Sequence, residues 1–346
     1  MALKYLGLSF EHWKICEWAV KSIQAYKDIH FTNDNTNYSE RLTTEEIKKF
    51  LLNYGISSNY NEPMTKEQIN KIGENQLRRI YNNIIATKNL VNIQQVKGED
   101  LEIKNTDKYD YILTYSFPCQ DLSNAGKKKG MSDTTTRSGL LWEVERILTE
   151  CQKLNNMPQI LLMENVPQVH SAENVQDFNK WQLKLEQLGY KNYWKDLIAT
   201  DYEIPQTRNR CFMVSILGDY NYSFPQPKEL KLRLKDMLED EVDEKYYLSD
   251  KAINKMKRNI KHYEPCGLSP TLTTELAHST GKNLYPKLVC EIGYRRLTPK
   301  ECWRLMGVKD EDFENCNKNQ SNVSLYHLAG DSIVVNVLMA IFKELI

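Results

Sequence analysis

Four short polar segments each lie beside a predicted strand or helix and carry side chains suited to chemistry on a ring. They are Pro118-Cys119-Gln120 after YILTY, Glu164-Asn165-Val166 after ILLM, Gln206-Thr-Arg208-Asn-Arg210 entering RCFMV, and Gly330-Asp331-Ser332 opening the last helix. In an open α/β sheet, ligands bind at the carboxyl ends of the strands. We therefore expect a thiol, a carboxylate and two guanidinium groups at one edge of the sheet.

These groups suit attack on an electron-poor ring. A thiolate such as that of Cys119, next to arginine, has a lowered pKa and is a strong nucleophile. A buried carboxyl group at Glu164 can stay protonated and donate to a ring nitrogen, while Arg208 or Arg210 can fix a carbonyl oxygen and hold the carboxylate. Alone, each residue has an ordinary explanation as a core cysteine, a helix cap or a surface ion pair. Their combination favours nucleophilic catalysis.

Composition bounds the class of protein. The chain has 346 residues, 41% of them hydrophobic, with 46 basic and 46 acidic side chains and no net charge. It is long enough for one large or two ordinary domains, and its composition excludes a disordered, collagen-like or coiled-coil chain. No segment is expected to span a membrane and the N-terminus lacks signal-peptide features, so a soluble, cytoplasmic protein is predicted. Neutrality argues against non-specific coating of nucleic acid, although it allows a local basic groove.

The eight cysteines include no CxxC pair, which predicts neither a disulfide framework nor a zinc site. We expect no metal in the chemistry.

The hydrophobic pattern predicts an α/β fold. Short apolar strands at Tyr111–Tyr115, Ile160–Met163 and Arg210–Leu217 are separated by helical patterns, one of which covers Asp177–Leu188. Strands alternating with helices predict a mostly parallel sheet with right-handed crossovers. The remaining predicted elements of this part are a helix face from Leu140 to Leu154, a strand at Trp13–Glu17 and a helix at Val20–His30.

Two regions interrupt that pattern. Residues 31–97 are polar, with helical patches at Thr44–Leu52 and Gln76–Ile85, and are predicted to form an insertion on the outside of the core. Residues 218–290 carry basic and acidic runs and the turn-rich stretch GLSPTLTT, which predicts a separate small domain. The catalytic part is therefore expected to comprise residues 1–217 and 291–346. The C-terminal piece, residues 291–346, is expected to contain a capping box at Thr298–Glu301 and a last helix at Ser332–Leu345.

The sequence resembles the cytosine-C5 DNA methyltransferases of bacterial restriction–modification systems, including CpG methylases of low-GC bacteria. The resemblance runs from about Leu6 to the C-terminus and is weak in 31–97 and 218–290. The motifs that carry it are YSFPCQDLSNAGKKKGM, TRSGLLWEVERIL, LLMENVPQV, QTRNRCFMVS, RRLTPKECWRLMG and AGDSIVVNVL. It implies an S-adenosylmethionine-dependent methyltransferase of Rossmann-like fold with a smaller target-recognition domain at 218–290.

The resemblance also implies roles for the candidate catalytic residues. Cys119 would add to C6 of a cytosine, so that C5 becomes nucleophilic enough to accept a methyl group from S-adenosylmethionine. Glu164 would contact N3 and the exocyclic amine, Arg210 would bind the base carbonyl, and Arg208 would support the site. Because the target base is stacked in a duplex, it must be flipped out of the helix.

For the cofactor, the resemblance implies a ribose-binding carboxylate, a stacking indole, a partner for the adenine amine and three residues lining the pocket. The ribose-binding carboxylate is Glu17, the stacking indole is Trp18 and the partner for the adenine amine is Asp100. The residues that line the pocket are Pro118, Leu140 and Ser332.

For DNA, it implies contacts from a glycine- and lysine-bearing loop at 121–131 and from the Thr-Leu element of the recognition domain. The expected DNA-binding residues are Gln120, Ser123, Lys127, Lys128, Thr271 and Leu272. Base recognition would use major-groove edges and phosphate contacts. We expect a monomer that acts on double-stranded DNA and is functionally paired with a restriction endonuclease.

The sequence departs from the family pattern at its start. The family begins with a strand and a Phe-x-Gly-x-Gly turn that wraps the methionine end of the cofactor, whereas none of the 14 glycines here forms a G-x-G. MALKYLGL instead matches the helix after that turn. We therefore expect an upstream segment to have been lost, or the protein to be a degraded copy, with weak cofactor binding in either case. Asp331, where the family usually has Asn, adds negative charge near the cofactor carboxylate.

Three other functions are compatible with parts of the sequence. An RNA cytosine methyltransferase would share the fold, but the substantial 218–290 region favours a reader of duplex DNA. An inactive DNA-binding paralogue is compatible with the absent glycine turn. A thiol-dependent hydrolase would need a histidine partner, and His170 is expected to be only a loop residue.

Overall fold

The computed structural model describes residues 1–117, 138–250, 253, 262–274, 276, 287–290 and 293–345. Its strands are β1 (Ile112–Tyr115), β2 (Ile160–Asn165), β3 (Tyr190–Ile198), β4 (Asn209–Leu217), β5 (His262–Tyr263), β6 (Lys287–Cys290) and β7 (Gly293–Arg295). The α-helices are α1 (Ala2–Tyr5), α2 (Val20–His30), α3 (Thr44–Tyr54), α4 (Lys66–Asn70), α5 (Glu74–Ala86), α6 (Leu141–Lys153), α7 (Val175–Gln187), α8 (Pro299–Arg304), α9 (Asp310–Asn317), α10 (Asn322–Asp331) and α11 (Val335–Lys343).

The main sheet is mixed: three of its four strands run in the same direction, in keeping with the mostly parallel sheet expected from the sequence, and β4 runs against them. Its strand order is β1-β2-β4-β3. β1 and β2 are parallel, whereas β4 is antiparallel to both β2 and β3. The antiparallel direction of β4 was not expected because the sequence analysis overlooked the strand β3 (Tyr190–Ile198). Once β3 follows α7, a short return brings β4 back antiparallel between β3 and β2.

Helices and loops cover both faces of this sheet, so the fold is an α/β sandwich of three layers. On one face, Leu161 and Met163 of β2 pack against α6 and α7, including Trp181. On the other face, Leu162 of β2 and Phe212 of β4 pack in a second core with the C-terminal helices. Because both faces of β2 are covered, its residues form a continuous apolar run, as parallel strands in α/β folds do.

The predicted insertion has a small core of its own. Helices α3 and α5 pack around Ile23 of α2, and the apolar side chains of this cluster are buried. Helix α3 begins with a capping box, in which the Thr43 side chain accepts from the backbone nitrogen of Glu46 and the Glu46 side chain accepts from the backbone nitrogen of Thr43. The helices of the predicted insertion therefore pack on α2.

The segment Trp13–Glu17 does not form the predicted strand. It makes one isolated parallel bridge, Ile15 to Asn89. Its position is fixed instead by side chains: Trp13 Nε1 donates to Leu101 O at 2.8 Å and its ring lies 5.9 Å from that of Tyr111. Tyr111 immediately precedes β1, so these contacts hold the start of the chain beside the edge of the main sheet.

The region predicted as a small domain contains part of a second sheet, in the order β5-β6-β7. The last strand, Gly293–Arg295, lies beyond the expected boundary at residue 290. Apolar residues of the region, such as Leu234 and Leu272, belong to the same core cluster as β4 and the C-terminal helices. Arg295 and Glu301 form a buried ion pair, Nη2 to Oε1 at 2.7 Å, that fastens β7 to α8.

The C-terminal part differs from expectation in one respect. Gly330, Asp331 and Ser332 end α10 rather than open the last helix, which starts at Val335. By length and composition, Asn322–Lys343 passes for a membrane span, but half of it is buried inside the protein. The segment consists of the two helices α10 and α11, whose apolar side chains form part of the core that also contains Leu162 and Phe212.

Candidate active site

The end of β2 places a carboxylate in a buried, positively charged environment. Glu164 is 7% exposed. Its Oε1 lies 3.1 Å from Arg210 Nε, and its Oε2 accepts a hydrogen bond from Ser116 Oγ at 3.2 Å. Burial raises the pKa of Glu164, while Arg210, Arg208 and the Ser116 hydroxyl oppose that rise. Burial thus favours the protonated form of this carboxyl group, whereas the two guanidinium groups favour its ionised form.

The two predicted arginines do different things. Arg210 points at Glu164 and keeps part of its guanidinium accessible. Arg208 is 4% exposed and donates to three backbone carbonyls: Nη1 to Leu272 O at 2.9 Å, and Nη2 to Gly330 O at 3.1 Å and Ser332 O at 2.7 Å. Arg208 is thus a positioning residue that ties the recognition region to the end of α10.

The Thr-Leu element is joined to the segment that carries both arginines. The buried Gln206 side chain accepts from Leu272 N at 2.9 Å and donates to Leu305 O at 2.8 Å. Thr271 Oγ1 donates to Thr207 O at 3.1 Å. The Leu272 side chain is fully buried in the core. This burial anchors the neighbouring Thr271, and the expected contribution of Leu272 to DNA binding stays a prediction.

Gly330 is packed directly against this element, which gives a testable consequence for stability. A Cβ at Gly330 would lie 2.3 Å from the carbonyl carbon of Thr273 and 2.4 Å from the nitrogen of Thr274. Because both are backbone atoms, Gly330→Ala should destabilise the protein by about 1–3 kcal/mol. Urea unfolding measures this. Gly73→Ala, where nothing lies within 4 Å, should change stability by less than about 1 kcal/mol; equal effects would contradict the prediction.

The predicted ribose carboxylate lies at the end of the Trp13–Glu17 segment. Glu17 Oε1 accepts from Ala19 N at 2.7 Å. The side chain of Asn89 fixes the Glu17 backbone by accepting from its nitrogen at 3.0 Å and donating to its carbonyl at 2.8 Å. Burial, together with the charge of Asp331, raises the pKa of Glu17 to about 7, although the Ala19 amide opposes the rise. Trp18 is half-buried against the core of the insertion.

The other predicted cofactor residues are held in local structure. Asp100 Oδ2 accepts from Lys97 N at 2.8 Å, so this carboxylate caps its own turn. Leu140 is half-buried at the N-cap of α6. Ser332 is the C-cap of α10, and its hydroxyl donates to Leu328 O. Trp13 Nε1, bound to Leu101 O, brings the turn of Asp100 beside the segment that ends in Glu17.

Asp331 connects the two halves of the site electrostatically. Its charge raises the pKa of both Glu17 and Glu164, which places it near the predicted cofactor carboxylate and the predicted catalytic one. Tyr60, from the insertion, stacks on His327 with ring centroids 4.0 Å apart, and burial followed by the charges of Glu17 and Asp331 raises its pKa to about 12. Tyr60 has no motif around it, so sequence reasoning missed it.

Six of the predicted residues lie outside the described part of the chain. These are Pro118, Cys119, Gln120, Ser123, Lys127 and Lys128. Their roles stay predictions. The segment on which they depend follows β1, whose last residue, Tyr115, precedes the Ser116 that binds Glu164.

Another thiol, Cys211, lies on β4 near a histidine, but it is unsuited to the hydrolase alternative. Cys211 is fully buried, and burial together with the neighbouring Asp196 raises the pKa of its thiol. His170 Nε2 pairs with Asp196, at 2.9 Å. A protonated, inaccessible thiol is a poor nucleophile.

The fold is that of known methyltransferases. The structure superposes on a Dnmt2 mutant of Spodoptera frugiperda with a TM-score of 0.62 and 18% identity, covering 99% of this chain and 95% of that one. It superposes on the Dnmt2 methyltransferase of S. pombe with a TM-score of 0.59 and 21% identity, covering 78% and 87%. The chain therefore has the Rossmann-like α/β fold of these methyltransferases, as the sequence predicts.

The sequence comparisons identify the family. Residues 52–346 match the model of the C-5 cytosine-specific DNA methylases. The chain is 36% identical to the type II methyltransferase M2.ScrFI of Lactococcus lactis subsp. cremoris, over 93% of this chain and 88% of that protein. It is 32% identical to the orphan methyltransferase M.SssI of Spiroplasma monobiae, over 96% and 89%. The chain belongs to the C-5 cytosine-specific DNA methylase family and is a DNA cytosine-5-methyltransferase of the restriction–modification type, with S-adenosylmethionine as the methyl donor that this family implies.

Proposed function

We propose that the chain methylates C5 of a flipped cytosine through a covalent bond between Cys119 and C6. The observation that supports this mechanism is the buried Glu164 carboxyl group at the end of β2, held by Arg210 at 3.1 Å and Ser116 at 3.2 Å. A carboxyl group whose pKa is raised by burial can give a proton or hydrogen bond to N3 while negative charge develops on the ring.

The proposed bond changes balance as follows. The Cys119 thiolate forms a bond to C6, and N3 gains hydrogen bonding or a proton from Glu164. C5, now an enamine carbon, would accept the methyl group of S-adenosylmethionine, whose methyl–sulfur bond breaks so that S-adenosylhomocysteine leaves. Loss of the C5 proton to solvent or a base then restores the ring and expels the thiolate. Arg210 would bind the O2 carbonyl, and Arg208 would keep the surrounding backbone in place.

The described residues fit the adenosine part of the cofactor. Glu17 offers a carboxylate at the end of a segment anchored beside β1, and it could accept both ribose hydroxyls once ionised. Trp18 offers an adjacent indole, and Asp100 lies in the neighbouring turn. We propose these three residues, with Leu140 and Ser332, as the adenosine-binding part of the site.

This assignment predicts a pH dependence of cofactor affinity. Glu17 must be ionised to accept hydroxyl protons, and its pKa is about 7. Affinity for S-adenosylmethionine should therefore fall about tenfold per pH unit below pH 7 and level off above it. Stability of the cofactor-free protein should change in the opposite direction. Because the pKa of Glu17 is higher in the folded protein than in the unfolded chain, the free energy of unfolding should fall as the pH rises from the ordinary glutamate pKa to about 7. Calorimetric titrations across this range measure the affinity.

Asp331→Asn is the matched variant for that experiment. Removing the Asp331 charge lowers the pKa of Glu17, so the midpoint of the affinity curve should move to lower pH. At pH 6.5, where about a quarter of Glu17 is ionised in the wild type, affinity should rise by at most about fourfold. A flat pH profile in the wild type, or an unchanged midpoint in Asp331→Asn, would contradict the role of Glu17.

For DNA binding, we propose that the region 218–290 reads the target sequence, with Thr271 held by Thr207 beside the catalytic segment. Gln120, Ser123, Lys127 and Lys128 would contact the DNA from the loop that closes over it. The enzyme would act as a cytoplasmic monomer, functionally paired with a restriction endonuclease. Binding should weaken steeply with salt, and a gel-shift series from low to high salt would reveal a flat response if no basic groove exists.

Methyl transfer from labelled S-adenosylmethionine, with covalent trapping on 5-fluorocytosine DNA, tests the proposed reaction. We expect label in duplex DNA and a denaturation-resistant protein–DNA adduct. Transfer to tRNA but not to DNA would favour the RNA alternative. DNA binding with neither transfer nor adduct, in protein that binds the cofactor, would favour the inactive paralogue.

A further inference from the structure

Three metal-ligating side chains meet on the face of the sheet opposite Glu164. His170 ends the short helical turn Pro167–His170, while Asp196 and Cys211 are directly opposed in the antiparallel pair of β3 and β4. One ligand atom from each lies within 4.8 Å of those of the other two. We propose that these three residues form a site for a thiophilic divalent cation of the zinc class, separate from methyl transfer.

The donor set matches the chemistry of zinc. Imidazole nitrogen, carboxylate oxygen and thiolate sulfur are its usual protein ligands. Ionised Asp196 and a Cys211 thiolate carry two negative charges that balance the cation, and His170 binds as the neutral ring. The Cys211 proton leaves to solvent when the S–metal bond forms. Three protein ligands leave a fourth position for water.

The geometry requires little movement. His170 Nε2 lies 2.9 Å and 3.0 Å from the two oxygens of Asp196. Tetrahedral zinc with bonds of about 2.0–2.1 Å separates such ligand atoms by roughly 3.3 Å, so this pair needs to open by only a few tenths of an ångström. The Cys211 sulfur lies within 4.8 Å of both partners' ligand atoms. The side chains of His170 and Asp196 are 24% and 30% exposed, which gives the cation a path from solvent, while Cys211 lies buried behind them.

Its surroundings hold the site in place. Trp194 packs on the His170 ring at 4.7 Å between centroids, and Phe178 lies 6.3 Å away. Side chains alternate across a strand, so Cys211 faces away from the side on which its neighbour Arg210 reaches Glu164. Cation binding would therefore clamp the turn after β2 onto the β3–β4 pair without entering the proposed catalytic pocket.

Cobalt titration of chelator-treated, full-length protein tests this site. Cobalt(II) takes the place of zinc and reports a sulfur ligand through a thiolate-to-metal charge-transfer band. The Cys119→Ser background removes the proposed nucleophilic thiol as a competing ligand. In that background we expect one equivalent of cobalt to bind and to produce this band. Zinc should then abolish the band by displacing the cobalt. Absence of the band, or its loss on Cys119→Ser alone, would overturn the proposal.

Variants assign the ligands. In the same background, Cys211→Ala should abolish the band, and His170→Gln or Asp196→Asn should weaken binding by more than about tenfold. Cys151→Ser is the control, because Cys151 is also a buried thiol but its sulfur contacts Gly98 O; it should bind as before. If Cys211→Ala fails to fold, His170→Gln and Asp196→Asn still test the site, because both of these side chains are partly exposed. Zinc should raise the melting temperature except in the ligand variants, and equal binding by all variants would refute the site.

Discussion

Glu164→Gln should lower the rate of methyl transfer by about 10²- to 10³-fold while leaving the protein folded and able to bind DNA. The glutamine amide has the size of the carboxyl group and can still donate to N3 and accept from the exocyclic amine. It cannot transfer a proton. Single-turnover methylation at saturating DNA and cofactor measures the rate, and gel shift with thermal unfolding verifies that binding and fold persist.

The pH profile separates a catalytic role of Glu164 from a structural one. Because the carboxyl group acts in its protonated form, activity should fall as the pH rises through its elevated pKa. Glu164→Gln should lack that decline. Ser116→Ala removes a hydrogen bond that favours the charged form, so it should move the decline to higher pH and change the maximal rate only a few-fold. A wild-type rate in Glu164→Gln would contradict the mechanism.

The strands that position Glu164 and the arginines could be predicted because both faces of β2 and much of β4 are buried. Burial makes their sequences continuously apolar, and the structure places them at Ile160–Asn165 and Asn209–Leu217. β3 was missed because it is an edge strand with exposed residues such as Trp194 among polar neighbours. Overlooking this edge strand changed the inferred direction of β4, because a short return from β3 makes β4 antiparallel whereas a helical crossover would have made it parallel.

The candidate site shows a similar division. Glu164 and Arg210 could be proposed from the sequence because their residue types and strand-end positions indicate chemistry directly, and the structure places their side chains 3.1 Å apart. The buried role of Leu272 and the carbonyl contacts of Arg208 depend on packing between segments far apart in the chain, which spacing does not encode. The cluster of His170, Asp196 and Cys211 was missed for the same reason, because strand pairing brings its members together.

Sequence reasoning also missed two residues that lie around Glu17. Asn89 holds its backbone and Tyr60 lies near its charge, yet both come from the polar insertion and match no motif. Their contribution arises from the docking of that insertion on α2. This arrangement makes the insertion part of the proposed cofactor site, a role that composition alone did not indicate.

Cys119→Ser should give the largest effect on activity, a loss of at least about 10⁴-fold in methyl transfer. A serine hydroxyl is far less ionised and less nucleophilic than a thiol, and nothing in the proposed reaction substitutes for the bond to C6. The same change should eliminate the adduct with 5-fluorocytosine DNA. The base should still enter the site, so DNA affinity should remain within a few-fold of the wild type.

The thiol control is Cys266→Ser. Cys266 is exposed in the recognition region, so its replacement removes an accessible thiol without touching the proposed nucleophile. It should retain both methyl transfer and trapping. If Cys119→Ser modified DNA as fast as the wild type, or if Cys266→Ser lost the adduct while Cys119→Ser kept it, attack by Cys119 would be wrong. Such results would leave Glu164 and Arg210 as a base-binding pair without a covalent partner at that position.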